Sequence, residues 1–339
     1  MSEPPARAVW FDGPRSAVLR PADVRRPAPN EIVVRSVCAL VSAGSEMNLY
    51  RGEGDLPGLA AFPTAEGQLP FPVKFGYQEV GVVEEVGGEG GNGGDLAVGD
   101  LVFCFHPHQT RFTIATELVW KVPPTVSPEQ AAFVGLFGVA LNACITTPPV
   151  IGDCVAVSGL GVIGAFAGYL ARRTASRLIL VEPSAARRDR AAWIGADAVV
   201  DPSEAATVID ELSAGRGADL VIEASGAPAA LQQALRVTGT EGTVTVASWY
   251  GTRPVPLSLS PEFHLRRQKV ISTGPSLPAH LSPRWDRTRM RQVGFEHLAN
   301  LDVGTLLVSH RVPFQQAPDA YALLDDPSAE TLAVLLDHR

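Results

Sequence analysis

The stretch Val155–Gly164, VAVSGLGVIG, has the residue types and spacing of a phosphate-binding turn. A short apolar run ends at Ser158, and Gly159-Leu160-Gly161-Val162-Ile163-Gly164 follows as G-x-G-x-x-G. Read as strand, turn and helix, each glycine has a task. Gly159 permits the tight turn, Gly161 lets a pyrophosphate approach the backbone, and Gly164 lets the helix pack close to the strand. The helix N-terminus, with Val162 and Ile163 in its first turn, then faces the anion. A second apolar run, Arg177–Val181, ends in Glu182. That is where a dinucleotide-binding fold places a carboxylate for the adenosine ribose hydroxyls. A carboxylate there repels a 2′-phosphate, so the expected cofactor is NAD rather than NADP. Arg187 and Arg188 follow, placed to stack on adenine or to hold a phosphate.

A second group of polar residues lies well before this turn. Cys104, His106 and His108 alternate, and on an extended strand alternate residues share a face. This is the one run in which a metal could be held, although Pro107 and the following turn oppose that geometry. For His108 a substrate-facing hydrogen-bond donor or proton shuttle is favoured over a metal ligand; otherwise it is a surface-loop histidine. Glu46 could orient substrate or accept a proton, or simply stabilise a helix N-terminus. Ser45, just before it, reads first as a helix cap. The four cysteines, Cys38, Cys104, Cys144 and Cys154, contain no C-x-x-C and give neither a disulfide framework nor a structural zinc knot.

The elements that would position these groups change character along the chain. Of 339 residues, 46% are hydrophobic and 19% charged, which fits a globular chain of about two domains. The net charge of −8 excludes a general nucleic-acid surface, because phosphate neutralisation needs clustered Lys and Arg. No run reaches the roughly 18 uninterrupted apolar residues of a spanning helix, and no apolar signal core opens the chain, so a cytoplasmic protein is expected. Residues 6–50 read as β structure followed by a short helix from Glu46. Residues 52–72 read as a loop at a cleft mouth and Gly87–Gly94 as a mobile glycine-rich loop. Strands resume around Gly99–Phe103, Phe112–Ala115 and Leu118–Val122, and end at Pro123-Pro124. From the Ser127 cap a helix is expected over Pro128–Ala143. Strands and helices then alternate through Ala247, which means a parallel, doubly wound sheet. Gly226, Ser248 and Gly274 follow or lie near carboxyl ends of such strands and are candidate cofactor neighbours. The tail, from Arg284, is expected to fold back on the first domain. The expected fold class is therefore α/β, with a β-rich domain over 1–123 and 275–339 and a dinucleotide-binding domain over 124–274.

In this order of elements the chain resembles the medium-chain dehydrogenase/reductase family, of alcohol dehydrogenase type. The similarity runs through Gly76–Gly81, Gly99–Val102 and Gly159–Gly164 and spans nearly the whole length. It implies a GroES-like catalytic domain joined to a Rossmann domain, and a homodimer. Zinc members carry a ligand Cys where Ala43 stands, a ligand His where Tyr77 stands, and a third ligand near Gly135. Ala and Gly offer no side-chain donor and neutral tyrosine is a poor one, so no zinc or other metal is expected. Among zinc-free members, Ser42–Glu46, Gly76-Tyr77 and Ser282–Trp285 are loosely similar to a branch that includes bacteriochlorophyllide hydroxyethyl dehydrogenases.

Without a Lewis acid, a positioned proton donor must sit at the reacting oxygen. The resemblance makes Tyr77 the first candidate. A phenolate there would need a nearby cation or suitably dry surroundings, and Lys74 is three residues away; otherwise Tyr77 merely fills the vacated zinc space. Ser45 matches the family's proton-relay hydroxyl. The expected activity is zinc-independent hydride transfer between NAD(H) and a secondary alcohol or ketone, a small-molecule substrate. Trp249, Tyr250 and the 52–72 loop suggest one larger than ethanol. Two other readings stay open: an NADPH-dependent enone or quinone reductase, which Glu182 counts against, and a catalytically silent dinucleotide-binding protein. The polar set Ser45, Glu46, Tyr77 and His108 counts against the latter.

Overall fold

The computed structural model describes residues 5–54, 56, 58, 64–88, 95–274 and 276–338. Most of the glycine-rich run 87–94, part of the 52–72 loop and Pro275 fall outside the described residues. The fold is α/β: a β-rich GroES-like unit and a Rossmann unit built on a parallel sheet. One compact unit comprises the residues through Gly135 together with those from Arg291 onward, and the other runs Leu136–Met290.

In the first unit the long strand Glu31–Val41 is the hub of a seven-stranded sheet. It pairs antiparallel with Glu79–Val86, with Arg111–Ala115 and with the chain's last strand, Ala333–Asp337. The last strand is nearly all apolar and buried along its length, so the tail segment completes this sheet. A four-stranded sheet holds Ser16–Pro21, Arg7–Gly13, Val73–Lys74 and Glu66–Gly67 in that order. Between them lies a core that includes Phe11, Met47, Tyr50, Phe75, Phe314 and Tyr321.

Two local expectations need correction. The helix expected over Pro128–Ala143 is two helices, Pro128–Ala132 and Val134–Thr146, separated at Phe133. Ser127 caps the first as expected, through a reciprocal box with Gln130. Ser45 is not a cap. It is the first residue of the helix Ser45–Arg51, whose N-cap is Gly44, and no side chain caps that end.

The second unit has a six-stranded, wholly parallel sheet in the order Ala198–Val200, Arg177–Val181, Cys154–Ser158, Ala218–Glu223, Thr238–Val246, Lys269–Ser272. The order reverses at Cys154–Ser158, so the crevice outside its carboxyl end is the switch point at which such sheets bind ligands. The glycine turn follows that strand directly.

Candidate active site and cofactor turn

At the switch point the three glycines are required for different reasons. Gly159 has φ +90°, and a Cβ there would lie 2.6 Å from the Ser225 backbone. A Cβ on Gly164 would lie 1.8 Å from the Gly159 carbonyl oxygen, so helix and turn touch through bare backbone. A Cβ on Gly161, the N-cap of Val162–Ala171, would meet nothing within 4 Å. Gly161 is thus demanded by no protein neighbour, which fits a position kept clear for a ligand. The first-turn N–H groups, Val162, Ile163 and Gly164 among them, have no intrahelical acceptor and suit a phosphate. Replacing Gly164 by Ala is expected to cost about 1–3 kcal/mol or more by overpacking and to weaken NADH binding. Fluorescence titration with a parallel melting curve checks both.

Glu182 is only 4% exposed, and both its carboxylate oxygens are engaged within the chain. Oε2 accepts from the Leu160 N–H at 2.7 Å and Oε1 from the Ser184 N–H at 3.0 Å. It fastens the glycine turn to the neighbouring strand as well as presenting charge there. The Arg187 N–H is capped by the Ser184 hydroxyl at 3.3 Å. Arg188 turns back to the carbonyls of Glu182 and Pro183. Gly226 and Ser248 meet: the Gly226 N–H donates to Ser248 Oγ at 2.8 Å. Gly274, with φ +51°, follows the edge strand, and its carbonyl accepts from Asn142.

Glu223, not singled out in the sequence, organises this edge. Its Oε1 accepts from the N–H and hydroxyl of Ser225, and its Oε2 from the Tyr250 hydroxyl at 2.6 Å. Its signal in the sequence is faint, an acid closing the buried run Leu220–Ile222.

The polar residues of the first unit gather at the start of the helix Ser45–Arg51. Tyr77 is partly buried beside the core. The hydroxyls of Ser42 and Ser45 lie near its oxygen. Burial and the Glu46 carboxylate push this phenol well above its ordinary range, against the pull of those hydroxyls, so Tyr77 is a neutral donor. No phenolate is favoured. Lys74, the cation three residues away, is occupied by Glu66 and by Gln109 Oε1 at 3.1 Å.

Glu46 and His108 meet directly, but both are fully buried. His108 therefore neither faces substrate nor lies in a surface loop. Its Nε2 lies 3.0 Å from Glu46 Oε2 and its Nδ1 2.8 Å from Glu79 Oε1. Burial alone would lower the affinity of this imidazole for a proton, but the carboxylates of Glu46 and Glu79 outweigh it and raise its pKa to about 10. Burial raises Glu79 to about 7 despite the opposing pull of His108. Glu46 also accepts from the Ser42 N–H at 2.9 Å and the Tyr321 hydroxyl at 3.0 Å. The alternation of Cys104, His106 and His108 does not produce a shared face. The strand ends at Cys104, which is core, and His106 stacks on Phe112 with ring centroids 3.7 Å apart.

Comparison with known proteins bears on this arrangement. A family model described as "Zinc-binding dehydrogenase" matches residues 162–281. D-guloside 3-dehydrogenase of Escherichia coli (strain K12) is 29% identical over 336 residues, covering 94% of this chain and 95% of that protein. "Probable zinc-binding alcohol dehydrogenase Rv1895" of Mycobacterium tuberculosis is 30% identical over 288 residues, covering 74% of this chain and 70% of its own length. The chain belongs to the zinc-binding alcohol dehydrogenase family. It is an oxidoreductase of the dehydrogenase type. The fold extends to a zinc-binding dehydrogenase of Sinorhizobium meliloti bound to NADP, with TM-score 0.77 and 21% identity over 99% of this chain and 100% of that one. No described helix is long and apolar enough to cross a membrane.

Membership of a zinc-binding family raises the question of whether these residues fit the metal. At the three positions that resemble its ligand sites they do not. Ala43 has no donor side chain, and Tyr77 holds its proton tightly. At Gly135 a Cβ would lie 2.5 Å from Gln78 Oε1, so the glutamine fills the space a ligand side chain would need. Among the described residues no three His, Cys, Asp or Glu side chains are arranged to hold an ion.

Proposed function

We propose that the protein is a zinc-independent dehydrogenase that interconverts a secondary alcohol and a ketone with NAD(H). The observation that carries this reading is the neutral Tyr77 hydroxyl, near Ser42 and Ser45, at a position where zinc-binding relatives would place a ligand. In this reading the β-rich unit is the catalytic domain and Leu136–Met290 the cofactor domain, and the assembly is a homodimer. The bound nicotinamide supplies or takes the hydride. Tyr77 donates a hydrogen bond to the reacting oxygen. In the reducing direction it passes its proton to that oxygen and is reprotonated from solvent through Ser45; in oxidation Tyr77 first releases its proton to solvent along the same path and then takes the proton of the alcohol. The relatives support a secondary alcohol: D-guloside 3-dehydrogenase and (R,R)-butanediol dehydrogenase bear names of that chemistry. The loose likeness to bacteriochlorophyllide hydroxyethyl dehydrogenases agrees in reaction class and gives no substrate.

The cofactor residues in this reading are Gly159, Gly161, Val162, Ile163 and Gly164 at the pyrophosphate, with Glu182 and Arg187 at the adenosine. Gly226, Ser248 and Gly274 lie towards the nicotinamide. Glu182 is fixed beside the turn by Leu160 and Ser184, so it opposes a 2′-phosphate without needing to move. NAD is therefore expected to bind at least about tenfold more tightly than NADP, a difference of roughly 1.4 kcal/mol. Parallel titrations read by protein fluorescence test this; tighter NADP binding would reject it and favour the enone or quinone reductase reading.

A further inference from the structure

The turns around Ala43 and Tyr77 offer nothing for an ion to tie together, yet they are tied. Glu46 stands in the first turn of the helix Ser45–Arg51, and Glu79 opens the strand that follows Tyr77. His108 arrives from a separate segment and lies between them, 3.0 Å from Glu46 Oε2 and 2.8 Å from Glu79 Oε1. All three side chains are fully buried. The imidazole also packs on the backbone just before Tyr77: a Cβ on Gly76 would lie 2.7 Å from His108 Cδ2 and 2.9 Å from its N. Glycine at 76, with φ +123°, is what lets the ring come so close. The segment carrying His108 is itself anchored, its carbonyl accepting from the Val9 N–H at 2.9 Å.

Through Glu46 the bridge reaches the Ser42 N–H, and Ser42 is one of the two serines near the Tyr77 hydroxyl. On the other side the Ser36 hydroxyl and the Gln109 backbone also act on the Glu79 carboxylate. Among the described residues Glu79 Oε2 has no hydrogen-bond partner, and neither ring nitrogen of the buried His338 has one. His338 stacks on Phe314 and its Nε2 stays 3.7 Å from that oxygen. His108 is thus the side chain that joins the Glu79 carboxylate to that of Glu46.

We propose that His108 is a positioning residue: its imidazole, bridging Glu46 and Glu79, ties the turn of Ser42 and Ser45 to the turn of Tyr77 and so holds the Tyr77 hydroxyl in place. This is the mechanical task that an ion would perform between the same two turns. The proposal rests on the functional reading of Tyr77, but its placement can be tested without turnover.

The protein labelled with 13Cζ-tyrosine has five tyrosines, and Tyr77→Phe assigns the Tyr77 resonance. His108→Asn is expected to shift the resonances of Tyr77 and of Tyr321, which bonds Glu46, while Tyr169 and Tyr250 stay in place. Glu79→Gln keeps an oxygen acceptor for Nδ1 and is expected to leave the Tyr77 signal near its original position. Should His108→Asn not fold, Glu79→Leu cuts the bridge from its other end and should displace Tyr77 in the same way. An unmoved Tyr77 resonance in the cut variant overturns the proposal. Turnover of racemic 2,3-butanediol with NAD gives a second reading. His108→Asn is expected to lower kcat roughly a hundredfold, as misplaced catalytic groups do, with KM for NAD unchanged and no further loss in a Tyr77→Phe background. An equal loss in both backgrounds means a merely structural role and overturns the proposal. Full activity in Tyr77→Phe alone would instead sink the functional reading, and the spectra would still decide the bridge.

Discussion

Tyr77→Phe is expected to lower kcat by about 10²–10⁴-fold, the range contributed by a positioned acid or base, while NADH affinity stays the same. The substitution removes one hydroxyl and keeps the ring, which packs edge-on against Phe75 with centroids 6.3 Å apart. The fold should therefore be unaffected and the loss confined to the proton-transfer step. The phenol is well suited to donation because burial and Glu46 keep it neutral. A neutral donor at the reacting oxygen gains most when that oxygen carries developing negative charge, which favours catalysis over simple binding. Steady-state kinetics of the purified variant, with NADH binding measured separately, provide the check. A variant that keeps full turnover would take Tyr77 out of the mechanism.

The second large effect is on stability. His108→Leu leaves the Glu46 and Glu79 carboxylates fully buried without the imidazole that joins them. Breaking a buried pair from one side costs about 3–5 kcal/mol, because the remaining charge cannot be hydrated. Urea denaturation at neutral pH should show a loss of that order. The pH dependence carries a sign. The His108 pKa is raised from 6.5 to about 10 in the folded protein. Its contribution to stability is therefore fully present below pH 6.5 and is lost as the pH rises through about 10. His108→Leu should remove the part of the alkaline slope that falls in this window. An unchanged slope would mean that His108 is not held as an imidazolium.

What could be read from the sequence follows what backbone sterics demand locally. Gly159 and Gly164 are legible because any side chain there would strike the turn's own backbone or that of Ser225. The parallel sheet is legible because its buried strands are short apolar runs between helical ones. Periodicity over Pro128–Ala143 does not reveal the separation at Phe133, so two helices read there as one. Ser45 looked like a cap because Ser before Glu is a capping signal, yet Gly44 takes that place. The buried bridge was hidden for another reason. Its hydrogen bonds join residues 62, 29 and 275 positions apart, so no local spacing announces them. Glu79 and Tyr321 carry no local signal of their place in that bridge. Glu46 and His108 were singled out for their chemistry, and the structure brings them together as neighbours of each other rather than of solvent.

The central claim is that hydride transfer here needs protein protons and no zinc. Elemental analysis of the purified enzyme alongside its turnover, before and after dialysis against a strong chelator, tests it most directly. The prediction is well under one zinc per chain and the same rate after chelation. One zinc per chain, with activity lost on its removal and restored on its return, would contradict the account.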